Sequence, residues 1–356
     1  MLAAVLLIAA MGLINLYSST YTGGDGPSGI FLRQLFFFLA GFSFIVIIHL
    51  FDYRVLLTWN YPLYILTVCL LLAALFLGGS IAGTQRWINL GFIRLQPSEP
   101  AKLMLVISLA SYYYRKDTGT GFSIKDLIGP ILLTGVLFVL VLKQPDLGTA
   151  LMFAGIFISM TLFVKLRWST VAIIFGSGAT LIPLAWKFFL KPYQKQRIMT
   201  FLNPESDPNN TGYHIMQSKI AVGSGLTFGR GYLKGTQGHL HFLPERHTDF
   251  AFSVWAEEWG FAGALFFLAI YFFMLLWGLN VCLTCRDKFG VLLAFGIVSL
   301  IFWQAIINLL MVMGFLPVVG IPLPLFSYGG SSLLTTLIGI GLLMNIRMRR
   351  YQVGQG

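Results

Sequence analysis

The chain has 356 residues, of which 57% are hydrophobic and only 10% are charged. A soluble domain carries about 25% charged residues, so the composition excludes an ordinary soluble protein and predicts that a lipid bilayer is the main solvent. The net charge of +11 does not indicate nucleic-acid binding, because the basic residues stand in short clusters between apolar runs. That arrangement is how charge orients a membrane protein.

Ten apolar stretches, each roughly 17 residues or longer, could cross a bilayer as helices. They lie near 2–17, 31–50, 59–77, 98–114, 127–143, 147–164, 168–186, 250–283, 290–313 and 329–346. Only Gln144-Pro145-Asp146 separates the fifth from the sixth, and the eighth is long enough to project beyond the bilayer. The sequence therefore predicts an all-α, polytopic integral membrane protein in which residues 1–356 form a single membrane domain.

The distribution of basic residues predicts the orientation. An even number of helices places both termini on one side of the membrane. If that side is the cytoplasm, eleven basic residues lie in the short inner segments and five in the short outer ones. Positive charge concentrates on the cytoplasmic side, so the bias predicts cytoplasmic termini. Residues 187–249 then form a large extracytoplasmic loop.

Residues 314–330, GFLPVVGIPLPLFSYGG, are apolar enough to enter the membrane, but Pro317, Pro322 and Pro324 exclude a regular helix. Non-helical backbone is tolerated at membrane depth only where it faces protein or a wet cavity. We therefore predict a re-entrant segment before the last helix, lining a cavity that opens outward.

The segment LPERHTDFAFSVWAEEW, residues 243–259, contains four of the chain's 13 acidic residues. Asp249 directly precedes the eighth helix, where it could cap free N–H groups or act as a functional carboxylate at the outer membrane boundary. His239, His241 and His247 lie nearby, but no HExxH motif or cysteine pair accompanies them. Surface histidines are therefore favoured over a metal site.

A second ionisable cluster opens the fourth helix in QPSEPAK. Glu99 and Lys102 are three residues apart and share one helical face within the apolar zone. They could be a structural ion pair, or Lys102 could present its charge to an anionic substrate while Glu99 positions it. Four more ionisable residues map to the outer half of the membrane: Arg33, Arg94, Asp146 and Arg246. Such a set suits an amphipathic, anionic, lipid-anchored substrate.

Four runs, TQRWINLGFIRLQPSEPAK, QPDLGTA, LPERHTDF and GIPLPLFSYGGSS, together resemble the SEDS family of membrane proteins. LPERHTDF is more similar to the RodA elongation branch of that family than to its FtsW division branch. The resemblance covers nearly the whole chain. It implies a peptidoglycan glycosyltransferase that polymerises lipid II on the outer face of the bacterial cytoplasmic (inner) membrane. It also implies a class B penicillin-binding protein as the partner that supplies the transpeptidase.

Matched motif by motif, the resemblance implies that Asp249, of HTDF, is the catalytic residue. It implies substrate-binding roles for Glu99 and Lys102, of QPSEPAK, and for Trp87 and Arg94, of TQRWINLGFIRL. With the residues mapped to the outer half of the membrane, the predicted substrate-binding set is Lys102, Glu99, Arg94, Trp87, Arg33, Arg246 and Asp146. No metal site is predicted, and no cofactor is specified, although a divalent cation would be compatible with a pyrophosphate group. The predicted binding partners are lipid II, the growing glycan strand and membrane lipids, with no nucleic acid.

The main alternative is a flippase or transporter of lipid-linked precursors, for which the same cavity would be a translocation path. The clustering of ionisable residues in the outer half argues against it, because the cytoplasmic half offers few polar groups along a route. A third class, a membrane metal hydrolase, lacks the required ligand spacing.

Overall fold

The computed structural model describes residues 1–21, 26–77, 79–81, 84–89, 91, 94–116, 121–174, 176, 187–188, 192–203, 205, 207, 211–236, 243 and 245–351. Its helices are α1 (Leu2–Thr20), α2 (Gly29–Leu50), α3 (Val55–Leu77), α4 (Ser98–Arg115), α5 (Ile128–Lys143), α6 (Leu147–Phe163), α7 (Pro192–Leu202), α8 (Thr211–Ser224), α9 (Ala251–Thr284), α10 (Lys288–Val312) and α11 (Gly330–Met348). A 3-10 turn, Ile124–Leu127, precedes α5.

The helices confirm the predicted all-α, polytopic architecture. In the part of the chain that the structure describes, seven helical segments are long and apolar enough to cross a membrane, and α6 is a shorter apolar helix. Nine of the ten predicted stretches coincide with α1–α6 and α9–α11. Of the seventh, residues 168–174 are helical, and residues 177–186 lie outside the described residues. The predicted loop 187–249 is not merely a connection, because it contains α7 and α8.

Local sequence determines where some helices begin. The Ser28 hydroxyl accepts a hydrogen bond from the Phe31 amide at 3.2 Å and caps α2. The Asp146 carboxylate accepts one from the Thr149 amide at 3.1 Å and caps α6, which separates α5 from α6 as predicted. Both residue types satisfy N–H groups that a helix start leaves without intrahelical partners.

Backbone contacts divide the chain into two compact units. Unit 1 comprises Met1–Phe51, Met199–Val281 and Ile301–Asn345, and unit 2 comprises Asp52–Ile198, Cys282–Leu300 and Ile346–Gly356. The single membrane domain predicted over residues 1–356 stays a prediction.

In unit 2, α4 packs against α3, α5 and α6. α4 is the least apolar of the predicted membrane helices, and these contacts bury it almost entirely: Ala101, Val106 and Leu109 have no exposed surface. A small antiparallel sheet follows α3, with β1 (Gly79–Ile81), β2 (Thr84–Asn89) and β3 (Arg94–Leu95) in the order β1-β2-β3.

In unit 1, the irregular segment 314–329 has no regular helix, as its prolines require. Side chains of the surrounding helices hold its backbone. Gln34 of α2 donates to the Ser327 carbonyl at 3.2 Å, and Gln304 of α10 donates to the Pro322 carbonyl at 3.1 Å. Buried backbone polar groups need such partners. The placement of this segment as re-entrant stays a prediction.

The long helix α9 is interrupted at Gly260, which was not predicted from the sequence; its projection beyond the bilayer stays a prediction. Gly260 has φ 66° and ψ −165°, a conformation essentially restricted to glycine. The turn at 225–231 lies against the break: the amides of Phe261 and Ala262 donate to the carbonyls of Leu226 and Thr227 at 2.8 and 3.0 Å. The turn therefore provides acceptors for the helix amides that directly follow the break.

We expect Gly260→Ala to destabilise the protein. An added Cβ would lie 2.2 Å from the backbone nitrogen of Gly229, and the positive φ would add strain on the order of 1–3 kcal/mol. Thermal unfolding in detergent measures the effect. The matched control is Gly223→Ala in α8, where an added Cβ meets nothing within 4 Å. Equal melting temperatures for the two variants would contradict this account.

Candidate active-site residues

Asp249 lies in a tight turn, residues 245–250, that leads into α9 of unit 1. Glu245 closes the turn: its carbonyl accepts from the amides of Thr248 and Phe250 at 3.1 and 3.3 Å. The Asp249 side chain is half-buried, and its Oδ2 atom would be 3.4 Å from a Cβ placed on Gly320. The carboxylate therefore lies beside the irregular segment, with its turn defined by backbone bonds.

Asn308 of α10 fixes the position of this turn. Its Nδ2 donates to the Asp249 carbonyl at 2.8 Å and to the Ile321 carbonyl at 2.7 Å, and its side chain is fully buried. Asn308 and Gln304 lie four residues apart on α10. Gln304 reaches Ser332 of α11 at 2.8 Å, but Asn308 instead ties the turn to the irregular segment.

The neighbours of Asp249 in the turn differ in charge. His247 packs 5.9 Å from the Tyr328 ring, and its carbonyl accepts from the Tyr328 amide at 2.9 Å. Burial lowers the pKa of His247 below its ordinary value of 6.5, so the imidazole is neutral at pH 7. Burial also lowers the pKa of Arg246, which nevertheless stays charged because arginine titrates far above neutrality. His239 and His241 lie outside the described residues.

The Glu99–Lys102 pair forms in unit 2. Lys102 Nζ donates to Glu99 Oε1 at 2.9 Å, and the two side chains are only 1% and 5% exposed. The other oxygen, Glu99 Oε2, is buried without a hydrogen-bond partner among the described residues. Burying a charge this deeply costs free energy unless the charge is paired. The Glu99–Lys102 contact offsets that cost for both side chains.

Asp146 makes several structural contacts. Its carboxylate accepts from the Thr149 hydroxyl at 2.9 Å as well as from the Thr149 amide, and its Oδ2 lies 3.7 Å from Arg86. Arg86 also donates to the carbonyls of Gln144, at 3.0 Å, and Pro145. Asp146 and Arg86 thus join the small sheet to the α5–α6 turn. No local pattern in the sequence could have revealed this pairing, because the two residues are 60 positions apart.

Three predicted substrate-binding residues are accessible. Trp87 lies half-buried on β2, where it pairs with Gly79, and Arg94 lies exposed on β3, where it pairs with Asn89. The sheet thus fixes the backbone at both residues in unit 2. Arg33 is exposed on α2 of unit 1, directly before the buried Gln34.

Glu257 and Glu258 of α9 are buried, and their backbone carbonyls accept from the amides of Arg230 and Gly231, both at 3.0 Å, in the turn beside the Gly260 break. Glu257 Oε1 accepts from the Thr236 amide and hydroxyl at 2.7 and 2.9 Å and lies 3.9 Å from Arg230. Glu258 accepts from the Ser18 hydroxyl. These contacts favour a structural role for both carboxylates. Among the described residues, no group of three or more His, Cys, Asp or Glu side chains could hold a metal ion.

These features define a polytopic helical membrane protein with a buried ion pair on α4 and a fixed aspartate turn beside an irregular segment. The chain belongs to the FtsW/RodA/SpoVE family of cell cycle proteins, whose family model matches residues 1–352. This match confirms the resemblance to the SEDS family.

Individual relatives match over most of their length. The peptidoglycan glycosyltransferase MrdB of Escherichia coli strain K12 is 41% identical over 330 residues, covering 90% of this chain and 86% of MrdB. A probable peptidoglycan glycosyltransferase FtsW of Trichlorobacter lovleyi is 35% identical, covering 97% of this chain and 92% of that protein.

Solved structures show the same fold. One comes from a peptidoglycan synthase complex, studied for its coordination of polymerization and crosslinking. Its matching chain has a TM-score of 0.84 and 33% identity, covering 99% of this chain and 98% of that chain. The rod shape determining protein RodA of Thermus thermophilus has a TM-score of 0.73 and 30% identity, covering 99% and 97%.

Proposed function

We propose that this protein is a peptidoglycan glycosyltransferase that polymerises lipid II into glycan strands during cell elongation. The observation that carries the proposal is the 41% identity to a peptidoglycan glycosyltransferase across 90% of the chain. The fold and the side chains described above then supply the chemical groups that such a reaction requires.

The leaving group determines how many catalytic carboxylates are needed. Glycosidases generally use two, because an alcohol leaving group must be protonated. A polyprenyl pyrophosphate is already a weak base, so a cation can stabilise it in place of an acid. A single carboxylate then suffices, as general base for the attacking sugar hydroxyl. Attack from the face opposite the pyrophosphate inverts an α-linked donor to a β-linkage.

Asp249 is the proposed base. Its carboxylate is only half-buried, which leaves room for a substrate hydroxyl, and its turn is fixed by Glu245 and Asn308. A base must lie within hydrogen-bond reach of the proton that it removes, and a fixed turn favours that geometry.

Lys102 is the proposed cation for the pyrophosphate, with Glu99 holding its ammonium group at 2.9 Å. Arg33, Arg94, Arg246 and Trp87 complete the proposed substrate-binding set. Asp146 belongs to it through Arg86, whose guanidinium it helps to hold. The accessible arginines suit phosphates, and the indole of Trp87 offers a flat apolar surface for a sugar ring.

The proposal is tested with purified protein and lipid II in detergent. Glycan strands should form and appear as a ladder on a gel, because the reaction needs no second compartment. A lipid flippase cannot register in this assay. Folded protein that binds lipid II and makes no strands, with or without its partner, would contradict the polymerase assignment.

We further propose that the protein lies in the bacterial cytoplasmic membrane with both termini inside and residues 187–249 outside, on the basis of the charge bias. In a Cys69→Ala background, Lys125→Cys should be labelled by membrane-impermeant maleimide only after the cells are opened. Glu205→Cys should be labelled in intact cells. Both positions are exposed. Labelling of both from one side would overturn the orientation.

The proposed partner is a class B penicillin-binding protein that crosslinks the strands. In support, a structural relative belongs to a peptidoglycan synthase complex, and α9 exposes Phe266, Phe272 and Phe273, which a partner helix could cover. Replacing these three residues with Gln should weaken co-purification with the transpeptidase. Unchanged recovery would place the interface elsewhere.

A further inference from the structure

A cavity of about 280 Å³ lies in unit 2, where α4 and α6 end and α10 begins. Its lining includes three basic residues: Lys165, Arg286 and Lys288. The rest of the wall is aromatic and apolar and includes Tyr113, Phe122 and Phe163. Residues from two segments more than 100 positions apart thus bring three positive charges to one concave surface.

Contacts of the main chain hold Lys165 in place. Its carbonyl accepts from the Phe122 amide at 2.9 Å, and the Phe122 carbonyl accepts from the Arg167 amide at 3.2 Å. The Phe122 ring packs edge-on against Tyr113 at 5.3 Å, and the Tyr113 hydroxyl bonds to Thr161 at 2.7 Å. The wall of the cavity beside Lys165 is therefore held by backbone hydrogen bonds and by the packing of Phe122 against Tyr113.

The other two basic residues are held in a similar way. The Arg286 amide donates to the Arg350 carbonyl at 3.3 Å, and the Arg286 guanidinium lies 5.8 Å from the Tyr351 ring. Asp287, between Arg286 and Lys288, accepts from the Gly290 amide at 3.0 Å and so fixes the start of α10. These contacts place the backbone and leave the side chains of Arg286 and Lys288 exposed.

The charge of the cavity is positive. Its described lining contains no acidic residue, and the nearby Asp287 carboxylate bonds to the Tyr53 hydroxyl at 2.9 Å and lies 3.9 Å from Arg54. Three exposed cations at this surface therefore favour an anion.

The surroundings of the cavity are apolar. Phe163, at the end of α6, is 43% exposed, and Tyr114, near the end of α4, is 38% exposed. A volume of 280 Å³ suits a headgroup rather than a whole lipid. Basic pockets between membrane helices on the cytoplasmic side bind acidic lipid headgroups, and this cavity lies on the side that we propose to be cytoplasmic.

We propose that the cavity binds the phosphate headgroup of an acidic glycerophospholipid, with the acyl chains lying along Phe163 and Tyr114. This is a lipid site that the glycosyltransferase reaction does not use, since none of its lining residues belongs to the proposed substrate-binding set. The proposal can therefore succeed or fail independently of the polymerase activity.

Native mass spectrometry of the full-length protein in detergent tests the site. The probe is dioleoyl phosphatidylglycerol, and the reference is dioleoyl phosphatidylcholine with the same acyl chains. The test variant combines Lys165→Gln, Arg286→Gln and Lys288→Gln. The control variant combines Lys116→Gln, Lys125→Gln and Arg347→Gln, which removes three positive charges from the same predicted side but outside the cavity.

The wild type and the control variant should bind one phosphatidylglycerol more tightly than phosphatidylcholine. Each cation removed should weaken that binding roughly 5-fold, so the test variant should lose on the order of 100-fold. Equal losses in both triple variants would show only general attraction to positive charge and overturn the site. Full displacement by millimolar inorganic phosphate would also overturn it, because the acyl chains would then contribute nothing.

Discussion

Asp249→Asn should abolish glycan polymerisation while the protein remains folded. The asparagine keeps the size of the aspartate, so it fits beside Gly320, and the bond from Asn308 survives because it is made to the backbone carbonyl. The amide cannot usefully accept a proton, so removal of a general base should lower kcat by about 10²–10⁴-fold. Strand formation from lipid II in detergent, with lipid II binding measured alongside, separates catalysis from binding.

The matched control for this variant is Glu245→Gln, in the same turn. Glu245 closes the turn through its backbone carbonyl, which the substitution keeps, and its exposed carboxylate bonds only to the neighbouring Thr248 in the contacts described. Its activity should stay within about threefold of the wild type, because the Asp249 carboxylate and the backbone bonds of the turn are unchanged and a surface substitution usually changes stability by less than 0.5 kcal/mol. Full activity in a folded Asp249→Asn variant would leave Asp249 as a structural residue of the turn.

The sequence predicted the membrane helices well because length and apolar composition decide them locally. A helix must satisfy its own backbone in lipid, so an apolar run of the right length has few alternatives. The predicted bounds differ by a few residues: α3 begins at Val55, four residues before its predicted start, and the added residues Val55, Leu56 and Leu57 are themselves apolar.

Features that depend on distant segments could not be predicted. The break at Gly260 exists because the turn at 225–231 supplies backbone partners. Gly260 is one of three glycines in α9, and nothing in the local sequence distinguishes it from Gly263 and Gly278. The ion pair of Arg86 with Asp146 likewise depends on how β2 reaches the α5–α6 turn. In contrast, the Glu99–Lys102 pair was predictable, because a separation of three residues already places both side chains on one face of α4.

The candidate site residues show the same difference between features that local sequence determines and features that depend on distant segments. The sequence singled out Asp249 and Lys102 by charge and by family motif, and it indicated Glu99 as the partner of Lys102, but it did not show what holds Asp249. Asn308 fixes the Asp249 turn, and Glu99 holds Lys102 in an almost fully buried position. Burying an amide or a carboxylate costs free energy unless the group is hydrogen-bonded. The buried positions of Asn308 and Glu99 therefore indicate that their role is to position Asp249 and Lys102.

Removing the charge of Lys102 should be as damaging as removing the base. Lys102→Met should lower strand formation by about 10²–10³-fold, the loss typical when one electrostatic contact to a developing negative charge is deleted. The single variant leaves Glu99 buried without its cation, which by itself can destabilise a protein by about 3–5 kcal/mol. Loss of activity in that variant alone therefore does not separate chemistry from folding.

The double variant Glu99→Leu with Lys102→Met separates them. Replacing both members of a buried ion pair with hydrophobic residues of similar size is often neutral or stabilising, so the melting temperature should recover. Activity should stay lost, because the cation that we propose for the leaving pyrophosphate is gone. Lys143→Met, which removes an exposed lysine from the same unit, should polymerise normally. If the folded double variant makes glycan strands at the wild-type rate, the buried pair serves only to hold α4 in place, and another cation must meet the leaving group.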